Sequence, residues 1–333
     1  MLMQERMGRA DTHVHCNYSG FNNLGILKFP ESVIDPQVQV DDARRRGIDV
    51  LAITDHNETA GAFIAQKYAE QFDDIEVIVG DEVMTRYEDT IDGEKVEIYG
   101  EIIGLWLTET PKKFMTPEET VDVIHEQGGI AIAPHPFSVH VDGLQEKIFD
   151  LPIEGFETIN GGHPDRYSNW FAQKVMDAHP GRWAAMAGSD AHSLATAGCC
   201  WTEFPGSTAE ELRKAILHKE TVPCGGPAEV IGQVKWSMEV VKGGQVLARK
   251  ALKRELEPVP NNRLIDKILS NNDIKNALSI YGGYAYRFPY IPVLATLLSV
   301  SYLDIHAHRK MKHADERLAH IEEILSEAGV TND

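Results

Sequence analysis

The chain has 333 residues, of which 43% are hydrophobic and 25% are charged, so an ordinary globular core is expected and disorder is not favoured. Its net charge of −19, from 51 acidic and 32 basic residues, argues against stable binding to nucleic acids or to anionic membranes. A nucleotide substrate stays compatible with this charge, because bound cations can reverse the local field.

Four cysteines occur, and none forms a C-x-x-C pair, so neither a structural zinc ribbon nor a disulfide framework is predicted. Residues 1–9 lack the apolar core of a secretory signal. The apolar segment 291–303 contains Pro292 and is too short to span a bilayer. We therefore predict a soluble, cytoplasmic protein with no membrane partner.

The first chemical motif is the pair His13 and His15, within the sequence ADTHVHC at residues 10–16. On a strand, side chains at i and i+2 point to the same face, so both imidazoles can reach one ion. Imidazole is the commonest protein ligand of zinc-class metals. An H-x-H pair alone is usually incidental, and its significance depends on further ligand-type residues elsewhere in the chain.

Short apolar runs then alternate with segments of helical periodicity. Strands are predicted at residues 49–54, 76–80, 130–133, 153–159 and 183–188, and helices at residues 38–46, 61–72, 117–127, 167–178 and 208–217. A hairpin is predicted around the Asp92-Gly93 turn. This alternation predicts a parallel sheet covered by helices, and the number of units favours a closed α/β barrel of the TIM type. In such a barrel the active site lies beyond the carboxyl ends of the strands.

The pattern changes from about Gly225 onward. Residues 230–246 are predicted to hold strands or a hairpin, and the pattern is helical from Asn261. We therefore predict two parts, a barrel over residues 1–228 and a mainly helical accessory region over residues 229–333. The accessory region is expected to pack on the barrel or on a second subunit, which would make the protein a homo-oligomer.

Ligand-type residues follow or adjoin most of the predicted strands. The candidates are His13, His15, His56, Glu82, Glu101, His135, Asp190 and His192. Each one alone could be a helix cap, a turn residue or a solvated acid, but their joint placement makes independent accidents improbable. A mixed set of histidines and carboxylates suits borderline divalent metals. A carboxylate such as Glu82 can bridge two ions, which together activate water and clamp the oxygens of a phosphoryl group.

Five of these segments, in order, resemble the motifs of the PHP (polymerase and histidinol phosphatase) family of metallo-phosphoesterases. They are DTHVH at residues 11–15, TDHN at 54–57, GDEV at 80–83, APHPF at 133–137 and GSDAHS at 188–193. The resemblance covers about residues 9–225. It implies a distorted (βα)7 barrel with two or three divalent metal ions and hydrolysis of a phosphate ester by a metal-bound hydroxide.

The resemblance also implies a distribution of ligands. One ion would be held by His13, His15, Glu82 and Asp190. A second would share Glu82 and take His135 and Glu101, where Glu101 replaces the family's usual histidine. A third would use His56 and His192, but its usual aspartate is absent, because Gly20 stands in that place. Zinc, manganese and iron all suit such sites.

Three further residues have predicted roles outside the ligand set. Asp55 is expected to act in catalysis, either by orienting ligand histidines or by accepting a proton. Asn160 and Arg166 are candidates to hold oxygens of a small phosphorylated substrate.

Two other functions stay open at this point. One is hydrolysis of C–N bonds, as in the related amidohydrolase barrels, although Glu82 stands where those often have a carbamylated lysine. The other is a non-catalytic barrel that is stabilised by metal.

Overall fold

The computed structural model describes residues 6–24, 27–91, 93–270 and 290–327. The strands are β1 (Met7–Val14), β2 (Phe21–Leu24), β3 (Leu27–Pro30), β4 (Val50–Ile53), β5 (Glu76–Ile91), β6 (Glu94–Leu105), β7 (Ile130–Ala133), β8 (Gly155–Asn160), β9 (Ala184–Gly188), β10 (Cys200–Pro205) and β11 (Val222–Gly225). The α-helices are α1 (Pro36–Arg45), α2 (Ala60–Ala69), α3 (Pro117–Glu126), α4 (Ser168–Ala178), α5 (Ala209–His218), α6 (Val230–Leu252), α7 (Arg263–Leu269), α8 (Tyr290–Met311) and α9 (Ala314–Glu327), and a 3-10 helix spans Gln145–Asp150.

Nine of these strands form one sheet in the order β11-β10-β1-β4-β5-β6-β7-β8-β9, and β2 and β3 pair separately. Strands β1, β4 and β5 run parallel, as do β7, β8 and β9. The segment after β9 returns to the end of β1, where the amide of Asp190 donates to the carbonyl of His13 at 2.7 Å and the amide of His15 donates to the carbonyl of Ala191 at 3.0 Å. The sheet is therefore a nearly closed barrel, which confirms the predicted α/β barrel.

The hairpin of β5 and β6 interrupts the parallel order. Strand β6 runs antiparallel to both β5 and β7, so it replaces one strand–helix unit of an ideal barrel. The sequence predicted that the strand would end at Gly80 and that Glu82 would follow it. Strand β5 instead continues past Gly80, so Glu82 lies inside the strand. The register places Glu101 opposite Met84, two residues from Glu82. Because alternate residues of a strand face the same side, Glu82 and Glu101 share one face of the hairpin.

Local sequence signals define the starts of two outer helices. Helix α3 begins with a capping box between Thr116 and Glu119, and α5 begins with one between Thr208 and Glu211. In each, the threonine hydroxyl oxygen accepts from the backbone amide of the glutamate, and the glutamate carboxylate accepts from the backbone amide of the threonine. The predicted starts of both helices are confirmed.

Residues 230–246 form part of helix α6, so the prediction of strands or a hairpin there was wrong. Its buried residues Val234, Val241, Gly244 and Ala248 are three, four or seven apart, which is the spacing of one helix face. The valines had suggested strands because β-branched residues favour them, but packing against the barrel decided the outcome.

The last described helix packs on the barrel through buried Ala314, Ile321 and Leu325 and through hydrogen bonds of Arg317. The guanidinium of Arg317 in α9 donates to Glu146 at 2.6 and 2.9 Å, to Gln145 at 2.8 Å and to the hydroxyl of Tyr167 at 2.8 Å. Helical segments thus follow the barrel as expected, whereas the division at residue 228 and the homo-oligomer stay predictions. Residues 271–289 of the region predicted to be helical lie outside the described residues. In the described part of the chain, every helix is too short or too polar to cross a membrane.

Candidate metal centre

The two histidines of the first motif converge at the end of β1. Nε2 of His13 lies 3.1 Å from Nε2 of His15, and both side chains are fully buried. This proximity is the shared face that the i, i+2 spacing predicts, because the chain remains extended from His13 to His15.

Glu82 lies in the middle of the histidines. Its Oε1 is 3.1 Å from Nε2 of His135. Its Oε2 is 3.1 Å from Nδ1 of His56, 3.3 Å from Nε2 of His15 and 3.4 Å from Nε2 of His13. One carboxylate therefore faces imidazoles that come from three different parts of the barrel.

Asp190 and Glu101 lie on two sides of this centre. Oδ1 of Asp190 is 3.4 Å from Nε2 of His15 and 3.6 Å from Nε2 of His13. The two oxygens of Glu101 are 3.4 Å from Nδ1 of His56 and 3.7 Å from Nε2 of His135. Glu101 thus places a further oxygen donor in the cluster.

His192 completes the set through its ring contacts. Its ring stacks on that of His15 with centroids 4.1 Å apart, and the ring of His15 stacks on that of His56 at 4.7 Å. Ligand atoms of His15, His56 and His192 lie within 4.8 Å of one another. All eight predicted metal ligands are therefore brought together in one cluster.

Two buried polar atoms at the centre of the cluster contact each other without a well-formed hydrogen bond. In the described part of the chain, Oε2 of Glu82 and Nδ1 of His56 lie 3.1 Å apart, and neither has a hydrogen-bond partner. A buried carboxylate oxygen without a hydrogen bond is costly, and a cation removes that cost. Nitrogen and oxygen ligands about 2.0–2.2 Å from one ion stand about 3.0–3.5 Å from each other. Most spacings between ligand atoms in this cluster, 3.1–3.4 Å, fall in that range, and the longest are 3.6 and 3.7 Å, so the residues fit a site for divalent metals.

The electrostatics of the cluster also favour a cation. Burial lowers the pKa of His13, but the charges of Asp190, Glu157 and Glu82 outweigh it and raise this pKa well above its ordinary value. Burial raises the pKa of Glu101 to about 8, helped by the nearby charge of Glu82. Among the described residues, the ion pairs of Glu82, Glu101 and Asp190 are all with histidines. The carboxylates thus attract positive charge to the cluster, which divalent ions would supply.

Two outer contacts orient the histidines of β1, and the sequence had not identified them. Nδ1 of His13 lies 2.9 Å from Oε1 of Glu157, which is in β8. Nδ1 of His15 lies 3.0 Å from Oγ of Ser19, whose hydroxyl in turn donates to Oδ1 of Asp55 at 2.6 Å. Each contact leaves Nε2 directed toward the centre, as metal-binding histidines require. In the sequence, Glu157 is an acidic residue within a predicted apolar strand, and that placement was the signal that could have identified it.

The structure places Asp55 in a supporting position and not among the ligands. Its Oδ1 also accepts from the amide of Cys16 at 2.7 Å, and its Oδ2 accepts from Sγ of Cys16 at 2.7 Å. These contacts agree with the orienting role that was predicted as one alternative. They leave neither carboxylate oxygen of Asp55 without a partner.

The two predicted substrate-binding residues are engaged elsewhere. The side chain of Asn160 is buried, donates to Oε2 of Glu157 at 2.7 Å and accepts from the amide of Gly162 at 2.8 Å. Arg166 is exposed, and its Nε lies 3.0 Å from Oδ1 of Asp304 in α8. Asn160 thus supports Glu157, and Arg166 forms a surface ion pair.

A further histidine adjoins the cluster. His163 is buried, and its ring centroid lies 5.0 Å from that of His135 and 4.5 Å from that of His140. Ligand atoms of His163, His135 and Asp190 lie within 4.8 Å of one another. Sequence reasoning had passed over His163, which follows β8 in a Gly-Gly-His-Pro turn.

Known proteins resemble this chain at several levels. A family model described as PHP-associated matches residues 168–221. Two uncharacterised proteins of Methanocaldococcus jannaschii are similar in sequence. MJ1587 is 43% identical over 173 residues, which is 52% of this chain and 94% of that protein. MJ1588 is 31% identical over 115 residues, which is 34% of this chain and 96% of that protein.

Among solved structures, PsfC from Pseudomonas syringae is similar with 18% identity and a TM-score of 0.45, over 66% of this chain and 91% of that one. A protein from Bifidobacterium adolescentis, provisionally named a metal-dependent phosphoesterase, has 14% identity and a TM-score of 0.43, over 69% of this chain and 100% of that one. These structural likenesses are distant, so the sequence matches are the stronger comparison.

Proposed function

Because the chain belongs to the PHP family, we propose that it is a metal-dependent hydrolase that cleaves a phosphate ester. The observation that supports this most is the position of Glu82, whose two oxygens face His135 on one side and His13, His15 and His56 on the other. A carboxylate in that position can join two ions.

The distances between the side chains divide the proposed ligands into two groups, one for each ion. His13, His15, Glu82 and Asp190 would hold one ion, and Glu82, His135 and Glu101 would hold a second. When bound, such ions supply Lewis acidity, which lowers the pKa of a water molecule and neutralises charge on phosphoryl oxygens. The mixture of nitrogen and oxygen donors suits zinc, manganese or iron.

The remaining residues of the site orient and support these ligands. Glu157 holds the tautomer of His13, and Ser19 and Asp55 hold that of His15. Asp55 acts through these contacts, so we propose it as a positioning residue. His163 extends the cluster beyond the ligands, and we propose it as a contact for an oxygen of a small phosphorylated substrate in place of Arg166.

Hydrolysis of a C–N bond is the alternative chemistry. The amidohydrolase barrels often bridge their ions with a modified lysine, whereas Glu82 occupies the centre here. A glutamate in place of the modified lysine thus favours hydrolysis of phosphate esters. The substrates that the protein hydrolyses would separate the two proposals.

The test is a substrate screen of protein loaded with zinc, manganese or iron. The panel contains p-nitrophenyl phosphate, its bis-ester, nucleotides and short oligonucleotides, together with amides and cyclic ureas. We expect turnover of a phosphate ester that is lost in His13→Ala and kept in His308→Ala, a control in the helical H-x-H sequence of α8. Turnover of amides alone would favour the amidohydrolase alternative.

A metal-loaded protein that turns over no member of the panel would contradict the proposal. If His135→Ala then lost metal and thermal stability together, the non-catalytic barrel would be the better description.

A further inference from the structure

The loop after β1 lacks a carboxylate at the position where the PHP motif has one. Gly20 occupies that position with φ of +99°, which is strained for any residue with a side chain. A β-carbon added there would meet no atom of the described residues within 4 Å, so these residues leave the space beside Gly20 open. The backbone conformation thus disfavours an aspartate at residue 20, and the adjoining space is free for a side chain from another segment.

Glu31 is the acidic residue beside this gap. Its amide donates to the carbonyl of Gly20 at 3.0 Å, which pairs the two residues across the base of the β2–β3 hairpin. Its side chain is largely buried, and its Oε1 lies 3.7 Å from Nε2 of His56. That separation is too long for a hydrogen bond and close to the spacing of two ligands on one ion.

The backbone of Glu31 is held from the other side by the C-terminal region. Nε1 of Trp236 in α6 donates to the carbonyl of Glu31 at 3.0 Å. The ring of Trp236 also lies against that of His192, with centroids 5.6 Å apart. One side chain of α6 therefore contacts both Glu31 and His192.

We propose that Glu31 supplies the carboxylate ligand of a third ion, together with His56 and His192. The two ring nitrogens of His56 face different carboxylates, because Nδ1 lies near Glu82 and Nε2 lies near Glu31. Glu31 directly follows β3, and its backbone is paired with that of Gly20, the position of the missing aspartate. This inference depends on the metal-binding part of the proposed function but not on the identity of the substrate.

Metal content tests the inference without any assay of turnover. The full-length protein and its variants are equilibrated with Zn²⁺ or Mn²⁺, freed of excess ions, and measured by inductively coupled plasma mass spectrometry. We expect three ions per chain in the unsubstituted protein and two in Glu31→Gln. Glu229→Gln, at an exposed glutamate before α6 whose side chain makes no capping bond, is the matched control and should keep three.

A second variant separates loss of the ion from loss of the fold. His192→Ala should lose the same single ion, and the double variant Glu31→Gln/His192→Ala should lose no more than either alone. Far-ultraviolet circular dichroism should be the same for all of them.

Three ions retained in Glu31→Gln, or only two ions in the unsubstituted protein at saturating metal, would overturn the inference. The latter result would leave the two-ion hydrolase intact. A protein that binds no ion at all would contradict both proposals.

Discussion

Oε1 of Glu157 lies 2.9 Å from Nδ1 of His13, and both side chains are buried. Because an ionised carboxylate can only accept hydrogen bonds, Nδ1 of His13 carries the proton and Nε2 presents its lone pair to the centre when the ring is neutral. Oε2 of the same glutamate accepts from the amide of His135 at 3.0 Å and from Nδ2 of Asn160. One carboxylate therefore positions two of the proposed ligands.

We expect Glu157→Gln to weaken metal binding and turnover by about 10–100-fold, the usual effect of losing the carboxylate partner of a metal-binding histidine. The amide is nearly the same size, but it has only one acceptor oxygen, so it cannot accept both from His13 and from the His135 amide and Asn160. Competition against a chromogenic chelator measures the metal affinity.

The chain offers a close control for that experiment. Glu154 lies just before β8 and contacts His125 at 3.1 Å, away from the cluster. Glu154→Gln should leave metal affinity unchanged. Equal effects of the two substitutions would show that Glu157 acts on stability and not on His13.

Gly188 at the end of β9 leaves room for the contact between Glu157 and His13. A β-carbon at residue 188 would approach Oε1 of Glu157 and the β-carbon of His13 to 2.4 Å. We expect Gly188→Ala to cost about 1–3 kcal/mol of unfolding free energy, because overpacked buried sites must shift. Metal affinity should fall with it, since the clash lies on the two contacting side chains.

Gly226→Ala is the control for the glycine substitution, because a β-carbon there meets no atom within 4 Å among the residues that the structure describes. Urea denaturation of the metal-free proteins gives the free energies of unfolding. A Gly188→Ala protein as stable as Gly226→Ala would contradict the packing around Glu157.

Asp55→Asn tests whether Asp55 positions residues or transfers protons. Its buried oxygens accept from the amide and thiol of Cys16 and from the hydroxyl of Ser19. Losing part of this set should lower the unfolding free energy by about 1–3 kcal/mol, the cost of unsatisfied buried polar groups. A positioning role predicts lower stability and weaker metal binding together, whereas unchanged stability and metal content with lost turnover would indicate a proton acceptor.

The contact between Glu146 and Arg317 predicts a dependence of stability on pH. Burial raises the pKa of Glu146, but its hydrogen bonds with the Arg317 guanidinium outweigh this and hold it below the ordinary value of 4.5. A depressed folded-state pKa stabilises the protein above the unfolded-state value, and this stabilisation is lost as the pH falls through the folded-state value. The protein should therefore lose the contribution of this pair as the pH falls from the ordinary value of 4.5 through the lower folded-state pKa.

Comparison with Glu146→Gln isolates that contribution. At pH 7 the substitution should cost about 1.5–3 kcal/mol, the range for hydrogen bonds to charged groups, and the difference should shrink below pH 4.5. Glu323→Gln, an exposed site on the same helix α9, should change little at any pH. A difference that stayed constant with pH would argue against an ionised pair.

Much of the barrel could be predicted from local signals. The strands β4 and β7 are short apolar runs, and α3 and α5 start at capping boxes that are complete within four residues. Such features need only neighbours in the sequence, so they are readable before the chain is folded. Helix α6 was misread because its valines suit either structure and only its packing separates them.

The sequence by itself determined which residue types can bind metal and, through the His13-Val14-His15 spacing, that the first two share a face. It also showed that a carboxylate is missing at Gly20. The tertiary structure alone decided that Glu157 and Ser19 orient those histidines and that Glu31 lies beside the gap. Glu157 and His13 are 144 residues apart, Glu31 pairs with Gly20 across the β2–β3 hairpin, and Ser19 reaches His15 through the turn after β1. No periodicity in the sequence records these contacts.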